Sequence, residues 1–310
     1  MKALLFPGQG SQIIGMGSEF YKNFKIVKEL FKTADNKLNF SISKIILEGP
    51  DSELRLTKNT QPAILIVSYA IYLVFKNEFS ADVKKFKFYA GHSLGEYSAL
   101  VCADSLKFED SLYLIHERGK AMQEAVPVGE GGMLAVLGSN LSEIHSYISQ
   151  LENKKVCEIA NDNAEGQTII SGDIKSIEKL QEILKQNKKK SVLLPVSAPF
   201  HCSLMKSASK KMSNKINSIK FVKPKVDIIN NVNASIEDNP DNIKKLLIEQ
   251  IYSKVRWRES VLYMANKGVS EFIEIGPGKV LSSLVKRIVK NATSNSINSI
   301  EDMKNIIKWI

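Results

Sequence analysis

Runs of apolar residues that end at glycine-rich turns alternate with amphipathic segments over residues 1–126. Lys2–Phe6 predicts a short buried strand, and Phe86–Ala90 predicts a second strand that leads into a turn. Helices are predicted from Glu96 onward and over 108–123, where apolar residues recur on one face. This alternation of strands and helices favours an α/β fold with a mostly parallel sheet covered on both faces.

The pattern changes in the middle of the chain. The predicted elements follow the order β-α-β-β-α-β, which is typical of a ferredoxin-like domain, and lie at 133–137, 141–150, 156–160, 168–171, 174–186 and 192–195. We therefore predict a small domain at 127–196, inserted into a larger one formed by 1–126 and 197–310. Elements of the larger domain resume at 226–229, 241–252, 258–267, 271–275 and 280–289.

The chain carries a formal net charge of +10. A basic surface favours acidic partners and raises the rate at which they meet the protein. Nucleic acid is one such partner, but the chain contains no nucleic-acid motif and no such binding is expected. Apart from the run at 188–190 the lysines are spread along the chain, so ordinary solvated lysines are the simpler explanation.

Cysteine usage and hydropathy indicate a cytoplasmic protein that is not bound to a membrane. The three cysteines have no paired spacing, so neither a disulfide framework nor a zinc site is expected. Cys202 adjoins His201, but neighbours in the chain rarely have the geometry of a nucleophile and its base. No targeting segment is visible, and the longest apolar stretch, 62–75, favours a buried helix because it is too short for a bilayer.

The turn after the second predicted strand has the chemistry of a nucleophile elbow. Gly91-His92-Ser93-Leu94-Gly95 fits the pattern G-x-S-x-G, in which the glycines permit a sharp strand-to-helix turn that exposes the serine. The start of the following helix then faces developing negative charge. Although the pattern also occurs by chance, and a serine here could simply cap the helix, its place between a strand and a helix favours a nucleophile.

A serine hydroxyl needs a base to become nucleophilic, and the chain has four histidines. His116 and His145 lie in predicted helices, and His92 is expected to point away from its neighbour. His201 follows the last predicted strand of the insert in a loop, where a base usually lies in such folds. Because no acidic third member stands out, we expect a Ser–His dyad with the histidine oriented by a backbone carbonyl.

Several motifs, in order over nearly the whole chain, resemble those of the malonyl-CoA:acyl-carrier-protein transacylases. They are Pro7-Gly8-Gln9-Gly10-Ser11-Gln12, Gly91-His92-Ser93-Leu94-Gly95-Glu96-Tyr97-Ser98-Ala99-Leu100, Arg118-Gly119-Lys120, Asn161-Asp162-Asn163, Pro199-Phe200-His201, Asn230-Asn231-Val232 and Gly276-Pro277-Gly278-Lys279. The resemblance implies an α/β-hydrolase-like core with a ferredoxin-like insert. This agrees with the fold predicted from the pattern.

The resemblance also implies roles for the residues that match. Ser93 would be the nucleophile and His201 its base, while Gln9 and the backbone N–H of Leu94 would form the oxyanion hole. An amide donor in a turn after the first strand suits that role, although Gln9 could also be a plain turn residue. Gln250 matches the position whose backbone carbonyl orients the histidine.

Substrate recognition is implied by the same comparison. Arg118 resembles the arginine that holds the free carboxylate of malonate, which suits a guanidinium because it pairs with a carboxylate through two hydrogen bonds. Phe200 accompanies a preference for malonyl over methyl-branched groups, and crowding of one methyl changes selectivity by about 1–3 kcal/mol. Asn161 and Asn163 are placed at the substrate site by their motif.

The reaction implied is a ping-pong transfer of malonyl from malonyl-CoA to the phosphopantetheine thiol of an acidic acyl carrier protein, for fatty-acid synthesis. Malonyl-CoA is a substrate, and no metal or permanently bound cofactor is expected. We also expect a monomer. The alternatives are a trans-acting acyltransferase of a polyketide synthase, an α/β-hydrolase esterase, and a non-catalytic carrier-binding protein, against which the joint presence of Ser93, His201, Arg118 and Gln9 argues.

Overall fold

A computed structural model describes residues 1–152, 155–196 and 198–308 of the protein. The strands are β1 (Lys2–Phe6), β2 (Phe86–Gly91), β3 (Gly131–Leu137), β4 (Cys157–Ala164), β5 (Gln167–Asp173), β6 (Lys190–Leu193), β7 (Asp227–Ile229), β8 (Ile236–Glu237), β9 (Glu271–Ile275) and β10 (Thr293–Ile297). The predicted larger domain resumes at Ser197 and ends at 310, and both of these bounds lie outside the described residues.

Helices join most of these strands. They are α1 (Ser18–Asn23), α2 (Lys25–Leu38), α3 (Ile42–Glu48), α4 (Asp51–Leu54), α5 (Thr57–Leu73), α6 (Gly95–Cys102), α7 (Phe108–Glu124), α8 (Leu141–Ser149), α9 (Ile174–Gln186), α10 (Lys206–Ser218), α11 (Pro240–Gln250), α12 (Trp257–Asn266), α13 (Val280–Ile288) and α14 (Ile300–Ile307). In the part of the chain that the structure describes, no helix has both the length and the apolar character needed to cross a membrane.

The larger sheet has six strands in the order β10-β9-β1-β2-β7-β8. Its pairs are parallel except for the short β8, which runs antiparallel to β7. Parallel strands buried on both faces are built from continuous apolar runs, and in β1 the residues Ala3 to Phe6 are wholly buried. The predicted α/β fold with a mostly parallel sheet is therefore confirmed.

Alternate side chains of the central strand enter two different cores. Leu4 and Phe6 pack on the side of α5, whereas Ala3 and Leu5 pack on the side of Trp257, the first residue of α12. This period of two follows from the geometry of an extended strand, whose successive side chains point to opposite faces.

The second sheet is formed by the middle of the chain. Its four strands lie in the order β4-β5-β3-β6, and each adjacent pair is antiparallel. The chain passes through β3, α8, β4, β5, α9 and β6 in turn. A core of its own, which includes Leu134, Ile144, Ile170 and Ile177, lies between this sheet and the two helices.

Several stretches differ from the pattern-based prediction: the strand predicted over 192–195 lies at Lys190–Leu193, and β8, α10 and α14 were not predicted. Two further differences have a common cause. The strand predicted over 156–160 extends to Ala164, because backbone pairing with β5 continues past the last apolar alternation into Asn161–Asn163. The strand β10 was not predicted, since Thr293–Ile297 is largely polar and only its final isoleucine is a large buried apolar residue. In both places backbone pairing rather than hydrophobic periodicity makes the strand.

Candidate active site

Two of the predicted site residues, Gln9 and Ser93, follow the carboxyl ends of the central parallel strands. Phe6, at the end of β1, pairs with Gly91, at the end of β2, so the loops that follow both strands start side by side. The loop after β1 contains Gln9, and the turn after β2 contains Ser93. The edge where parallel strands end is the usual place for a ligand in an open α/β sheet.

The turn at Ser93 can only be built with glycine on either side. A Cβ on Gly91 would lie 1.9 Å from the carbonyl oxygen of Gly95, and a Cβ on Gly95 would lie 2.2 Å from the carbonyl oxygen of Phe6. Ser93 has a φ of 55°, in the left-handed region that non-glycine residues seldom adopt. Such strain is typical of functional turns, and it leaves the serine partly exposed at the start of α6.

Ser93 and His201 form a hydrogen-bonded pair although 108 residues separate them. The distance from Ser93 Oγ to His201 Nε2 is 2.7 Å, and His201 Nδ1 lies 2.8 Å from the backbone carbonyl oxygen of Gln250. Because a carbonyl oxygen only accepts hydrogen bonds, Nδ1 carries the proton and Nε2 is left to accept from the serine hydroxyl. The geometry is that of a nucleophile and its general base.

His201 is held in its neutral form. Burial, together with the positive charge of Arg118, lowers the pKa of its imidazole to about 3. A neutral imidazole at physiological pH is the form that can take a proton from Ser93.

Arg118 points its guanidinium at the nucleophile from α7. It is fully buried, and its Nη2 donates to Ser93 Oγ over 3.2 Å and to the side-chain oxygen of Gln250 over 2.9 Å. Its Nη1 donates to the side-chain oxygen of Gln61 over 2.7 Å. Within the described part of the chain its buried Nε has no hydrogen-bond acceptor, so the guanidinium keeps a donor for a further anionic group.

Three supporting residues had no role in the sequence-based prediction: Gln61, Glu96 and Asn231. Asn231 joins two parts of the elbow, since its side-chain oxygen accepts from Ser93 N over 2.7 Å and its amide donates to the carbonyl of Gly91 over 2.7 Å. Glu96 Oε2 in turn accepts from Asn231 N over 3.0 Å. The sequence signal for Gln61 and Glu96 was a polar residue directly before the apolar part of a buried helix.

The predicted oxyanion-hole residues lie beside the elbow. In the part of the chain that the structure describes, neither the backbone N–H of Leu94 nor the side chain of Gln9 makes a hydrogen bond, and Gln9 is half-buried. The loop that carries Gln9 is packed tightly on the elbow, because a Cβ on Gly8 would lie 2.7 Å from the carbonyl oxygen of His92. Neither donor is therefore used by another group among the described residues.

The small antiparallel unit reaches the elbow through β4. Asn163 Oδ1 lies 2.9 Å from His92 Nε2, so this asparagine contacts the neighbour of the nucleophile. Asp162 is buried, and its carboxylate pairs with both the Nε and the Nη2 of Arg258 at 2.9–3.0 Å. Asn161 is buried and forms a backbone bridge with Val255, and no hydrogen bond among the described residues joins its side chain to the dyad.

The remaining predicted residues lie around the histidine. Phe200 is 7% exposed and belongs to the main core next to His201. Burial raises the pKa of the Cys202 thiol to about 11, and this thiol donates to the carbonyl of Pro199, so it is protonated at neutral pH. No group of three or more His, Cys, Asp or Glu residues that could hold a metal ion occurs among the described residues.

Comparison with known proteins extends over both sheets. A family model described as an acyl transferase domain matches residues 3–306. A malonyl CoA-acyl carrier protein transacylase from Bacillus subtilis (strain 168) is 43% identical over 311 residues, which cover 99% of this chain and 96% of that protein. The crystal structure of an acyl-carrier-protein S-malonyltransferase from Bartonella henselae has a TM-score of 0.96 at 40% identity and covers 99% of this chain and 98% of its own.

One similar structure includes a carrier protein. It is a malonyl-transacylase in complex with its type II polyketide-synthase acyl-carrier protein, and it has a TM-score of 0.95 at 36% identity over 99% of both chains.

Proposed function

This chain belongs to the acyl transferase family, and from that premise we propose that it carries a malonyl group on Ser93 between coenzyme A and an acyl carrier protein. The chain is a malonyl-CoA:acyl-carrier-protein transacylase that serves fatty-acid synthesis, which agrees with its similarity to the transacylases described above. The observation that carries the residue roles is the contact of one serine oxygen with both His201 and Arg118.

The first half-reaction forms the malonyl ester. Ser93 Oγ attacks the thioester carbonyl of malonyl-CoA while His201 Nε2 takes the hydroxyl proton. The tetrahedral oxyanion is stabilised by the N–H of Leu94 and by Gln9. Collapse breaks the carbon–sulfur bond, and His201 returns the proton to the departing sulfur, so that coenzyme A leaves as a thiol.

The second half-reaction is the first in reverse with a new thiol. The phosphopantetheine thiol of the carrier protein gives its proton to His201 and attacks the malonyl-Ser93 ester through the same oxyanion site. The carbon–oxygen bond then breaks, and His201 returns the proton to Ser93 Oγ. Each half-reaction therefore ends with a neutral imidazole, which is the form that burial favours.

Arg118 selects the acyl group through its free carboxylate. In a malonyl ester, one methylene separates this carboxylate from the carbonyl carbon that Ser93 holds. A guanidinium that already lies 3.2 Å from Ser93 Oγ, with an unpartnered Nε among the described residues, is placed to receive it. Phe200 lies beside the histidine, and its ring would crowd a methyl branch on the acyl group.

The fold and domain assignment support this function. We assign 1–126 with 197–310 to an α/β-hydrolase-like core and 127–196 to a ferredoxin-like insert. The elbow between β2 and α6 supports the first assignment, and the order of strands β4-β5-β3-β6 supports the second. The three cysteines, Cys102, Cys157 and Cys202, are buried, which fits the reducing cytoplasm predicted from the sequence. A monomeric state and the lack of a bound cofactor stay predictions.

The carrier protein is the partner on which the alternatives differ. In one similar structure, a malonyl-transacylase is in complex with a type II polyketide-synthase carrier protein. A polyketide carrier is therefore the second candidate acceptor, with the same chemistry at Ser93. Comparing transfer rates to a fatty-acid carrier and to a polyketide carrier distinguishes the two, since the native acceptor should react faster.

An esterase is a weaker alternative for two geometric reasons. His201 Nδ1 faces the carbonyl of Gln250 instead of an acidic side chain, and a buried arginine beside the nucleophile has no use in hydrolysis of neutral esters. A non-catalytic carrier-binding role leaves the strained elbow at Ser93 without a purpose.

The test is the intact mass of the purified protein after incubation with malonyl-CoA, with Ser93→Ala as control. We expect a malonyl adduct on the unaltered protein alone, and its release on addition of phosphopantetheinylated carrier protein. An unmodified protein that hydrolyses simple esters would instead support the esterase, and a protein with neither activity would support the binding role.

A further inference from the structure

We infer that Glu96 is a positioning residue for malonyl transfer, because its carboxylate orients the side chain of Gln250 and thereby holds Arg118 beside Ser93. Glu96 lies in the first turn of α6, three residues after the nucleophile, and is 2% exposed. The inference rests on the proposed function and adds a residue that does not itself reach the substrate.

One oxygen of Glu96 makes both of its hydrogen bonds. Oε2 accepts from the side-chain Nε2 of Gln250 over 2.7 Å and from the backbone N–H of Asn231 over 3.0 Å. A carboxylate buried in this way is costly unless such donors satisfy it. Two separate segments, the end of α11 and the loop after β7, thus supply the donors that keep it in place.

The bond to Glu96 is the shortest of three that set which way the amide of Gln250 points. Its Nε2 is surrounded by acceptors, namely Glu96 Oε2, Ser93 O at 3.1 Å and Asn231 Oδ1 at 3.3 Å. Its Oε1 consequently faces Arg118 Nη2, from which it accepts over 2.9 Å. A reversed amide would place a donor against the guanidinium and an oxygen against the carboxylate, which are two repulsive contacts.

Gln250 links this arrangement to the general base as well. Its backbone carbonyl accepts from His201 Nδ1, while its side chain joins Arg118 to Glu96. The residue therefore contacts the base through its backbone and the carboxylate clamp through its side chain. Removing Glu96 takes away the shortest hydrogen bond of the Gln250 side chain and leaves the two longer ones to Ser93 and Asn231, so the clamp on the substrate carboxylate should loosen first.

The strongest rival explanation is that Glu96 only satisfies buried donors and has no effect on the substrate. Glu274 offers a matched control, since it is also fully buried and accepts two N–H groups, those of Leu281 at 3.1 Å and Ser282 at 2.8 Å. Burial raises the pKa of both carboxyls to about 7. Glu274 makes no contact with Ser93, His201 or Arg118 within the described residues.

The experiment compares four variants in single-turnover acylation of Ser93 by malonyl-CoA and by acetyl-CoA, followed by intact mass. The variants are Glu96→Ala, Glu96→Gln, Gln250→Ala and Glu274→Ala. We expect Glu96→Ala to lower the malonyl-to-acetyl ratio of kcat/KM roughly 10-fold, as expected for a misplaced charged contact. Glu274→Ala should keep the ratio of the unaltered protein even where it lowers the melting temperature.

Glu96→Gln separates positioning from charge. The amide oxygen of glutamine can take the place of Oε2 and accept from both Asn231 N and Gln250 Nε2, so the ratio should stay within about threefold of the unaltered protein. Gln250→Ala keeps the carbonyl that faces His201 but removes the same link, and should share the loss. It also tests the inference if Glu96→Ala does not fold.

Combining Glu96→Ala with Gln250→Ala should cause no further loss, because both changes remove one chain of contacts. An unchanged ratio in Glu96→Ala or Gln250→Ala would overturn the inference, as would an equal fall in Glu274→Ala or a failure of Glu96→Gln to restore the ratio. Failure of the proposed function is distinguishable, since the unaltered protein would then form no malonyl adduct at all.

Discussion

Both residues of the dyad are held in backbone conformations that residues other than glycine seldom adopt. Ser93 has a φ of 55° and His201 a φ of 57°. Each such residue costs about 1–3 kcal/mol and persists only where its surroundings impose it. Here Asn231 holds the amide of Ser93, and the carbonyl of Gln250 holds the imidazole, so the strain serves to fix the distance between nucleophile and base.

Removing the guanidinium should affect malonyl more than acetyl transfer. In Arg118→Ala the substrate carboxylate loses hydrogen bonds to a charged group, which are worth about 1.5–3 kcal/mol or roughly 10- to 150-fold in kcat/KM. Acetyl-CoA has no such carboxylate and should lose less. The measurement is kcat/KM for both thioesters, and equal losses would contradict the carboxylate role.

The pH dependence of acylation should show that His201 is not an ordinary histidine. Because burial lowers its pKa to about 3, the neutral base persists as the pH falls past 6.5, and kcat/KM should stay nearly constant from pH 8 down to pH 5. Rapid-quench acylation across this range measures it. A decline with a midpoint near 6.5 would contradict the prediction, and Glu96→Gln should give the same profile.

At the scale of elements, the site depends on how the antiparallel unit is attached to the main sheet. Strand β4 leaves its own sheet partners after Ala164, and on its way it bridges to Val255 and contacts His92 through Asn163. Asp162 is a buried charge at this junction, and Arg258 neutralises it through a two-pronged contact. The junction therefore fixes β4 beside the elbow.

Breaking this ion pair should destabilise the protein. Arg258→Met leaves the carboxylate of Asp162 buried without a counter-charge, and since Arg258 is itself 29% exposed we expect a loss of roughly 1–3 kcal/mol. Chemical denaturation measures the free energy of unfolding. The control is Lys223→Met, whose pair with Asp238 is largely exposed, so that its loss should change the free energy of unfolding far less. Equal effects would exclude a structural role for Asp162.

At the scale of the whole molecule, the net charge of +10 gives the protein a long-range attraction for an acidic carrier. Such attraction acts mainly on the rate of encounter and is screened by salt over about 10 Å at 0.1 M. The reacting oxygen of Ser93 lies between His201 and Arg118, both of which are buried and little screened by ions, so the chemical step should respond to salt far less.

Transfer to the carrier should therefore slow as salt is added. We expect kcat/KM for the carrier to fall several-fold between about 0.05 and 0.5 M salt, because exposed charges are screened over that range. Acylation by a small uncharged thioester serves as control and should change little. Transfer that is insensitive to salt would count against electrostatic docking. Charge reversal at single surface lysines would then leave kcat/KM for the carrier unchanged.

The local sequence pattern was enough to predict those elements whose structure is determined by neighbours in the chain. The turn at 91–95, the helix after it and the βαββαβ order depend on glycines and apolar spacing within a few residues, and motif order alone singled out Ser93, His201 and Arg118. Strand β10 and the end of β4 were missed, because their residues are polar and only pairing with another strand makes them extended.

Only the tertiary structure decided how the site is supported. Gln61 lies 57 residues along the chain from its partner Arg118. Glu96 and Asn231 lie 154 and 19 residues from their shared partner Gln250. No local pattern encodes such distances, since they depend on which segments meet at the carboxyl edge of the sheet. The sequence thus determined the reacting groups, while the crossing of distant segments determined their orientation and their pKa values, because burial and hydrogen-bond partners exist only in the folded chain.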